Sequence, residues 1–388
     1  MALGGAERSL LGLLNAIDTD RYDVDLFINQ HTGEFMHLIP KKINLLPELK
    51  GYNAIERPMK AILKERQFGV LLGRLKAKLQ HKLYHKSLKE PYRSFDASAF
   101  QYIADCVDPY LPPLKDLGVY DLAISFLQPH NIVLNKVQAK KKIAWIHTDY
   151  STIHVNAAKE LKIWGQFDHV VSISPDCTRS FLKTFPSLKD KIIEIENILS
   201  PTFVRTQAGI LEETKIEKFK GVKFVSVGRI CHAKNYDNIP YIAKILKQNG
   251  LIFKWFIIGP GNHSDIDNTI IETRTEDCIE FIGPKDNPYP FMRDCDVYVQ
   301  PSRYEGKSVT VREAQILCKP VVITNYTTAN SQIKNGLDGV IVPMDNEGCA
   351  KGIVNFINNK NLQNSIIDYL KTHDFGNENE VNKLYDLL

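Results

Sequence analysis

Two glutamates could bind the sugar groups of a ligand that also contains an anionic group. Glu305 lies in Pro301-Ser302-Arg303-Tyr304-Glu305-Gly306, between a predicted strand and a predicted helix, and Glu313 falls about two turns along that helix. Backbone amides at a helix N-terminus bind anions, which suits a diphosphate. One carboxylate would lie near a sugar while the other accepts hydrogen bonds from ribose hydroxyls. The spacing alone equally fits two glutamates with no shared role.

A second candidate group combines cations with glycine turns at predicted strand ends. Arg229 follows Val227-Gly228, and Lys234 comes five residues later. Arg and Lys at the carboxyl end of a strand are well placed to neutralise two phosphates. Ile258-Gly259-Pro260-Gly261 is a further strand end with a glycine turn. Solvated loop cations and a plain turn are the alternative interpretation.

Parallel sheets are predicted to position these side chains. Short β-branched or aromatic runs alternate with helical patterns in both halves, which indicates an α/β fold with helices covering parallel strands. The predicted strands are Val24–Ile28, Leu122–Phe126, Ile143–His147, Val170–Ile173 and Ile192–Ile195, then Lys223–Val227, Trp255–Ile258, Ile279–Ile282, Val297–Gln300, Val321–Ile323 and Val340–Val342. Ser200-Pro201 lies in a stretch without a good strand, so we place a domain boundary near residue 205. The cleft between the domains is the expected ligand site.

The composition indicates a soluble globular protein of two domains. Its 388 residues include 44% hydrophobic and 24% charged residues. No apolar run reaches the ~18 residues of a spanning helix, and the N-terminus lacks the pattern of a secretory signal. Seven cysteines without a CxxC pair favour neither a disulfide framework nor a zinc site. We therefore expect a cytoplasmic protein.

The positive charge is concentrated in one segment. Residues 60–93 hold ten Lys or Arg and two Glu, so the net charge of this segment is +8. The net charge of the whole chain is +4, so the remaining residues together carry −4. Phe68, Leu71, Leu72, Leu75, Leu79 and Leu83 recur there at helical spacing. Such a helix can rest on an anionic membrane surface, or pack its leucine stripe on the domain. Nucleic acid is disfavoured because no binding module accompanies the charge.

Taken in order, these motifs resemble the donor-binding domain of glycosyltransferase family 4. The resemblance rests on a series of short motifs spanning about residues 220 to 345, with Gly4-Gly5-Ala6-Glu7-Arg8 similar to the family's first glycine loop. The motifs are Gly228-Arg229 with Lys234, Gly259 with Gly261, Phe281 with Gly283, Pro301-Ser302, Glu305-Gly306, Glu313-Ala314 and Pro320-Val321-Val322.

The resemblance implies a GT-B fold, in which two Rossmann-like doubly wound domains face a central cleft. Residues 1–204 and 375–388 would form the acceptor-side domain, with a closing helix in 375–388, and residues 205–374 the donor domain. The implied reaction is a retaining transfer of a hexose-type sugar from a nucleotide-diphosphate sugar, usually a UDP-sugar. By analogy, the acceptor would be a lipid-linked saccharide at the inner membrane face, in capsule or exopolysaccharide assembly.

Carried over residue by residue, the resemblance assigns roles within the site. Arg229 and Lys234 would hold the diphosphate, Glu313 the ribose, and Glu305 and His147 the donor sugar. The implied catalytic residues are Glu305, His147, Arg229 and Lys234. The implied donor-binding set is Gly4, Gly5, Gly228, Arg229, Lys234, Gly259, Gly261, Ile282, Gly306, Lys307, Ser308, Val309 and Glu313. Cationic stabilisation of the departing diphosphate would replace a metal, so we expect no cofactor and reject Asp294-Cys295-Asp296 as a metal-ligand pair.

One departure from the family concerns the start of the chain. Only Met1-Ala2-Leu3 precede Gly4, where the family has a hydrophobic strand. We therefore expect the first strand to be missing, and the chain to be unstable or inactive as a result. Two alternative functions remain open at this point: a GT-B-type UDP-sugar epimerase, and a non-catalytic protein that binds a nucleotide sugar.

Overall fold

The protein divides into two compact units. The computed structural model describes residues 5–88, 95–210 and 214–388. Unit 1 contains the chain up to Ile198 together with Asn379–Leu388, and unit 2 is Leu199–Glu378. The division lies ahead of the helix Pro201–Ala208, because Val204 and Ala208 of that helix pack into a core of unit 2.

Unit 1 is built from parallel strands and helices. Its strands are β1 (Asp25–Leu26), β2 (Asn44–Leu45), β3 (Phe95–Asp96), β4 (Val119–Ser125), β5 (Gln138–Ile146), β6 (Ile153–His154), β7 (His169–Ser172) and β8 (Ile192–Glu194). Its first seven helices are α1 (Gly5–Ala16), α2 (Met59–Lys64), α3 (Phe68–Ser87), α4 (Ser98–Val107), α5 (Asn131–Lys136), α6 (Ala157–Trp164) and α7 (Pro175–Thr184). The main sheet has the order β4-β5-β7-β8, and β1-β2 and β3-β6 are separate pairs.

Four of the five strands predicted for this half are confirmed as β4, β5, β7 and β8. The prediction of a buried strand at Val24–Ile28 was wrong: only β1 forms there, and it pairs with β2 outside the main sheet. Asp23 and Asp25 are exposed and alternate with partly buried neighbours, so this segment presents only one apolar face. Gly4 lies outside the described residues, and within the described ranges no strand joins β1 to β4.

Within the basic segment, Phe68–Ser87 form the 20-residue helix α3, which presents its small residues to the protein. Val70, Gly73 and Ala77 are buried, and a Cβ added at Gly73 would lie 2.7 Å from the Cys106 carbonyl oxygen of α4. The opposite face exposes 50–60% of each large apolar side chain, namely Phe68, Leu72, Leu75, Leu79 and Leu83. Leu71 of the predicted stripe is partly buried. The interpretation that the stripe packs on the domain was therefore wrong.

Unit 2 has the strand order of a Rossmann fold. Its strands are β9 (Val222–Val227), β10 (Phe253–Ile258), β11 (Ile279–Gly283), β12 (Val297–Gln300), β13 (Val321–Thr324) and β14 (Val340–Val342). They are all parallel, in the order β11-β10-β9-β12-β13-β14. Its helices are α8 (Pro201–Ala208), α9 (Ile239–Gln248), α10 (Ser264–Thr273), α11 (Tyr289–Asp294), α12 (Val309–Ile316), α13 (Ala329–Gln332), α14 (Asn346–Asn358) and α15 (Lys360–Thr372). The strand order reverses between β9 and β12, which is where ligands bind in such sheets.

The end of the chain returns to unit 1. The predicted closing helix is short, since only α16 (Asn382–Tyr385) and a preceding 3₁₀ turn form. Val381, Leu384 and Leu387 are buried in the core that also contains Leu13 of α1 and Ile143 of β5. This burial attaches the last ten residues to unit 1.

The three tryptophans lie in three different cores. Trp145 and Trp164 are 4% and 2% exposed in unit 1, and Trp255 is fully buried in unit 2. The Trp164 indole donates to Glu160 Oε2 at 3.1 Å, and the Trp255 indole donates to Ser226 Oγ at 2.9 Å. Each of these two buried N–H groups thus has an acceptor, as burial requires.

Candidate functional site

The reversal of strand order brings Lys234 and Glu305 together. Lys234 follows β9 and Glu305 follows β12, and these strands are neighbours in the sheet. Lys234 Nζ lies 2.6 Å from Glu305 Oε1, and the two side chains are only 18% and 14% exposed. The loops after the two strands therefore meet at the carboxyl edge of the sheet, as the order of a Rossmann fold requires.

Glu305 is held by a set of polar side chains. Its Oε1 accepts from Gln300 Nε2 at 2.7 Å and from Ser302 Oγ at 2.6 Å, besides Lys234. Gln300 in turn accepts from the Tyr298 hydroxyl at 2.7 Å. For Oε2 of Glu305, the structure records no hydrogen bond to the part of the chain it describes. One carboxylate oxygen is thus fixed while the second is available to a ligand.

Gln300 and Tyr298 are residues that sequence reasoning missed. Both are fully buried in β12, and burial raises the pKa of the Tyr298 hydroxyl, which stays protonated and donates to Gln300. A glutamine at the end of an apolar strand was the available signal, because a buried amide must find partners. Its role depended on Glu305, which no spacing rule connects to it.

Three glycines allow the loops after β9 and β10 to touch. A Cβ at Gly259 would lie 2.0 Å from the Gly228 carbonyl oxygen, and one at Gly261 would lie 2.7 Å from Ile230 Cβ. A Cβ at Gly228 would meet Lys234 Cε at 2.9 Å. Side chains at these positions would force the loops apart, so the glycines set the close approach on which the Lys234 position depends.

The other predicted donor residues of unit 2 differ in their exposure to solvent. Arg229, Gly306 and Lys307 are exposed, and Ile282 is partly buried on β11. Ser308 is 5% exposed and its backbone amide donates to Gln332 Oε1 at 3.0 Å. Val309 is the first residue of α12. The start of α12 thus follows directly on the loop that contains Glu305.

Glu313 lies deeper than the other predicted residues. It is fully buried on α12 and accepts from the Tyr289 hydroxyl at 2.7 Å. The network around Lys234 and Glu305 does not include it among the hydrogen bonds recorded for the described residues. In these recorded bonds, Glu313 accepts from Tyr289, whereas Glu305 accepts from Lys234, Gln300 and Ser302.

The aspartates of Asp294-Cys295-Asp296 are bound by protein groups. Asp294 accepts from Arg293 Nε at 2.7 Å and from Thr214 Oγ1 at 2.5 Å. Asp296 accepts from the Lys223 backbone amide at 2.9 Å, next to the start of β9. They thus lie at the amino edge of the sheet, opposite the edge that contains Lys234.

In unit 1, His147 follows β5. Its ring centroid lies 4.4 Å from that of Phe126 in a tilted arrangement, and its buried Nε2 has no hydrogen-bond partner among the described residues. Burial lowers the pKa of His147 to about 4, so the imidazole is neutral at pH 7. Gly5, the other predicted residue described here, is exposed at the start of α1.

Comparison with known families agrees with the architecture of unit 2. Residues 212–373 match the family model described as Glycosyl transferases group 1. Unit 2 is therefore similar to the domain that this family model describes. The loops after β9, β10 and β12 that hold Lys234, Gly259 and Glu305 all lie within the matched residues.

Individual relatives are distant. The amylovoran biosynthesis glycosyltransferase AmsK of Erwinia amylovora is 23% identical over 58% of this chain and 63% of its own length. The Escherichia coli UDP-Gal:α-D-GlcNAc-diphosphoundecaprenol α-1,3-galactosyltransferase is 27% identical over 44% of this chain and 47% of its own length. The chain thus spans less than two thirds of both relatives.

A solved structure agrees with the fold of the whole chain. HepE from Anabaena, crystallised with UDP and glucose, is similar with a TM-score of 0.64 and 15% identity, over 99% of this chain and 95% of that chain. The similarity confirms the predicted GT-B fold with two Rossmann-like domains. Membrane spanning is a separate question: among the described helices, none combines the length and hydrophobicity needed to cross a bilayer.

Proposed function

We propose that this protein is a retaining glycosyltransferase that transfers a hexose-type sugar from a UDP-sugar to a lipid-linked saccharide in surface polysaccharide assembly. The observation that carries the proposal is the Lys234–Glu305 pair, 2.6 Å apart at the strand-order reversal of a group 1 domain. A cation and a carboxylate at this edge suit a ligand that is a phosphate at one end and a sugar at the other.

Arg229 and Lys234 are proposed to bind the diphosphate. When the bond between the sugar C1 and the phosphate oxygen breaks, the electron pair leaves with the UDP oxygen, and negative charge develops there. Two cations fixed beside that oxygen stabilise the leaving group, and amides at the start of α12 add to the positive potential. In this proposal the acceptor hydroxyl bonds to C1 and its proton ends on the diphosphate, without a metal.

Glu305 and His147 are proposed to contact the donor sugar, and Glu313 the ribose. The free Oε2 of Glu305 suits hydrogen bonds from sugar hydroxyls. The His147 imidazole is neutral at pH 7, so it does not repel a nearby cation. Its Nε2, which has no recorded partner among the described residues, is proposed to form a hydrogen bond with a sugar hydroxyl. The names of two similar proteins support the donor and the acceptor: HepE was crystallised with UDP, and the E. coli relative is named for UDP-Gal and a diphosphoundecaprenol-linked sugar.

Thermal stability in the presence of UDP tests the donor site. UDP bound to the folded state raises the thermal midpoint in proportion to occupancy. Arg229→Ala and Glu313→Gln are expected to abolish most of this rise, whereas Lys351→Ala, an exposed lysine on α14, keeps it. No rise in the folded wild-type protein contradicts a UDP donor. A rise without transfer to any lipid-linked acceptor favours the non-catalytic alternative, and sugar conversion without acceptor favours the epimerase.

We further propose that α3 places the protein on the anionic inner face of the membrane. Its exposed side combines Leu72, Leu75 and Leu79 with Lys76 and Lys82 at the margins of the stripe. Apolar side chains enter the acyl boundary while lysines meet acidic headgroups, the arrangement of an interfacial helix. A lipid-linked acceptor in that membrane would then be within reach of a protein that binds its surface.

Vesicle sedimentation tests the membrane proposal. The wild-type protein is expected to bind phosphatidylglycerol vesicles more tightly than phosphatidylcholine vesicles, and less tightly as salt rises. Leu75→Gln with Leu79→Gln is expected to abolish binding. Ile252→Gln with Ile271→Gln is the matched control, because these exposed isoleucines belong to unit 2 and not to α3. Equal binding by both double variants would contradict a role for the stripe.

A further inference from the structure

Two histidines and an aspartate converge on the protein-facing side of α3. His81 and His85 are one helical turn apart, and Asp96 lies on β3. His81 Nε2 and His85 Nε2 each lie 2.9 Å from Asp96 Oδ2, and the two nitrogens are 2.8 Å apart. All three donor atoms thus surround one point in space.

Two-centre hydrogen bonds do not account for all the contacts here, which also include Ser98 Oγ at 3.1 Å from His81 Nε2. An imidazole Nε2 carries either one hydrogen or one lone pair. If the contact between the two nitrogens is a hydrogen bond, it uses the hydrogen of one and the lone pair of the other. Neither then has a separate bond for the carboxylate oxygen at 2.9 Å. If both nitrogens instead donate to Asp96, two N–H groups face each other at 2.8 Å.

A single cation resolves the conflict, because it attracts all three lone pairs. Metal–nitrogen and metal–oxygen bonds to zinc-like ions are about 2.0–2.2 Å long, so the ligands of a tetrahedral ion lie about 3.3–3.6 Å apart. The three observed separations of 2.8 and 2.9 Å are about half an ångström shorter, so the side chains need to move only slightly apart to admit the ion. The side chains are 22%, 30% and 17% exposed, so an ion can enter from solvent.

We propose that His81, His85 and Asp96 form a binding site for a divalent transition-metal ion of the zinc type. Imidazole and carboxylate are a donor set that such ions accept. The site lies in unit 1, whereas Lys234 and Glu305 belong to unit 2, and none of its three residues has a role in the proposed metal-free transfer. Its ligands come from α3 and β3, and the ion fixes the helix to the strand.

Neighbouring contacts also connect α3, β3 and β6. Asp96 pairs in register with His154 of β6, and His154 Nε2 lies 3.0 Å from the hydroxyl of Tyr84, which is on α3 between the two histidines. A bound ion therefore stabilises the junction of α3, β3 and β6. The exposed leucine stripe lies on the other face of the same helix, so the ion holds that stripe in its outward orientation.

Metal binding by the full chain tests the proposal. After treatment with a chelator and gel filtration, the wild-type protein is expected to take up one Zn²⁺ per chain and to show a higher thermal midpoint with it. His81→Gln with His85→Gln is expected to weaken binding by at least about 100-fold. The matched control is His263→Gln, which removes an exposed histidine 2.9 Å from Asp267, a pair that has no third ligand in the described part of the chain. It should bind Zn²⁺ as the wild type does.

A measurement on the unaltered protein covers the case in which the double variant fails to fold. Diethylpyrocarbonate modifies accessible imidazoles, and mass spectrometry locates the adducts. Zn²⁺ is expected to protect His81 and His85 at least about 10-fold while His263 stays reactive. Absence of stoichiometric Zn²⁺ binding in the wild type, or equal labelling with and without Zn²⁺, would overturn the site and leave a hydrogen-bonded cluster.

Discussion

The position of one lysine amine controls most of the proposed donor chemistry. Lys234 Nζ is held at 2.6 Å by Glu305, which is itself held by Gln300 and Ser302. The amine is therefore preorganised, and little free energy is needed to orient it when charge develops on a leaving phosphate.

Lys234→Met tests this arrangement at the residue scale. It removes the cation but leaves Glu305 its bonds from Gln300 and Ser302, so we expect kcat to fall about 10²–10³-fold in an assay of transfer from the UDP-sugar. Lys247→Met is the control, because it breaks a 2.6 Å ion pair with Asp277 that is 46% and 66% exposed. A Lys234 variant as active as this control would remove the lysine from the proposed mechanism.

Two buried histidines predict a dependence of stability on pH. Burial lowers the pKa of His147 to about 4 and that of His130 to about 3, from 6.5. In the unfolded chain both rings take up protons below about pH 6.5, whereas in the folded chain they do so only near these lower values. Stability is therefore fully present above pH 6.5 and is lost as pH falls, by about 3 kcal/mol for His147 down to pH 4.

Urea unfolding of His147→Gln and wild type between pH 7 and pH 4 checks this value. The difference between the two free energies of unfolding should change by about 3 kcal/mol across the window, since the acidic groups are common to both proteins. His263→Gln, which alters an exposed ring, should run parallel to the wild type. Parallel curves for His147→Gln and the wild type would show that the pKa of His147 is the same in the folded and unfolded chains.

At the scale of elements, the loops after β9 and β10 depend on backbone contact. Gly259 has φ +150° and its added Cβ would lie 2.0 Å from Gly228 O. Gly259→Ala is expected to destabilise the protein by about 3 kcal/mol and to weaken the response to UDP. Gly250→Ala, with φ +75° but open space around its Cβ, should cost only about 1 kcal/mol. Similar costs for both would mean that the loops separate easily.

The sequence predicted the elements of unit 2 well, because its strands are buried on both faces and therefore appear as apolar runs. All six predicted strands are present as β9 to β14. Their neighbours were not predictable: Lys234 and Glu305 were assigned separately to phosphate and sugar, and only the placement of β12 beside β9 makes them partners. Register across a sheet is a property of tertiary pairing, which no local pattern contains.

Unit 1 was harder to predict for two physical reasons. The Asp23 and Asp25 alternation limits β1 to a short pair. The helix α3 is amphipathic and has a leucine stripe, but it does not pack on the protein through that stripe. It packs through Gly73 and Ala77, because small residues allow a closer approach to α4. Amphipathicity predicts a helix and its apolar face, but it does not predict which face contacts the protein.

For the whole molecule, the basic helix and the Lys234–Glu305 pair belong to different units. The helix α3 with its lysines is in unit 1, and Lys234 with Glu305 is in unit 2. Changes to the stripe are therefore expected to affect attachment to vesicles while the UDP-dependent rise in thermal midpoint stays unchanged. The Leu75→Gln, Leu79→Gln double variant, assayed for both, tests this separation. Loss of the UDP response in a protein with native circular dichroism would show that the units are coupled.

The distribution of tryptophans gives each unit its own intrinsic fluorophore. With Trp145 and Trp164 replaced by Phe, the emission of the chain comes from Trp255 and follows unit 2 alone, whereas Trp255→Phe leaves emission from unit 1. Heating the two variants with and without UDP would show whether the units melt in one transition or two. If they melt separately, UDP should shift only the transition seen by Trp255, and Zn²⁺ only the transition seen by the other two tryptophans. The wavelength and intensity of tryptophan emission would then assign each proposed ligand to its unit without a labelled substrate.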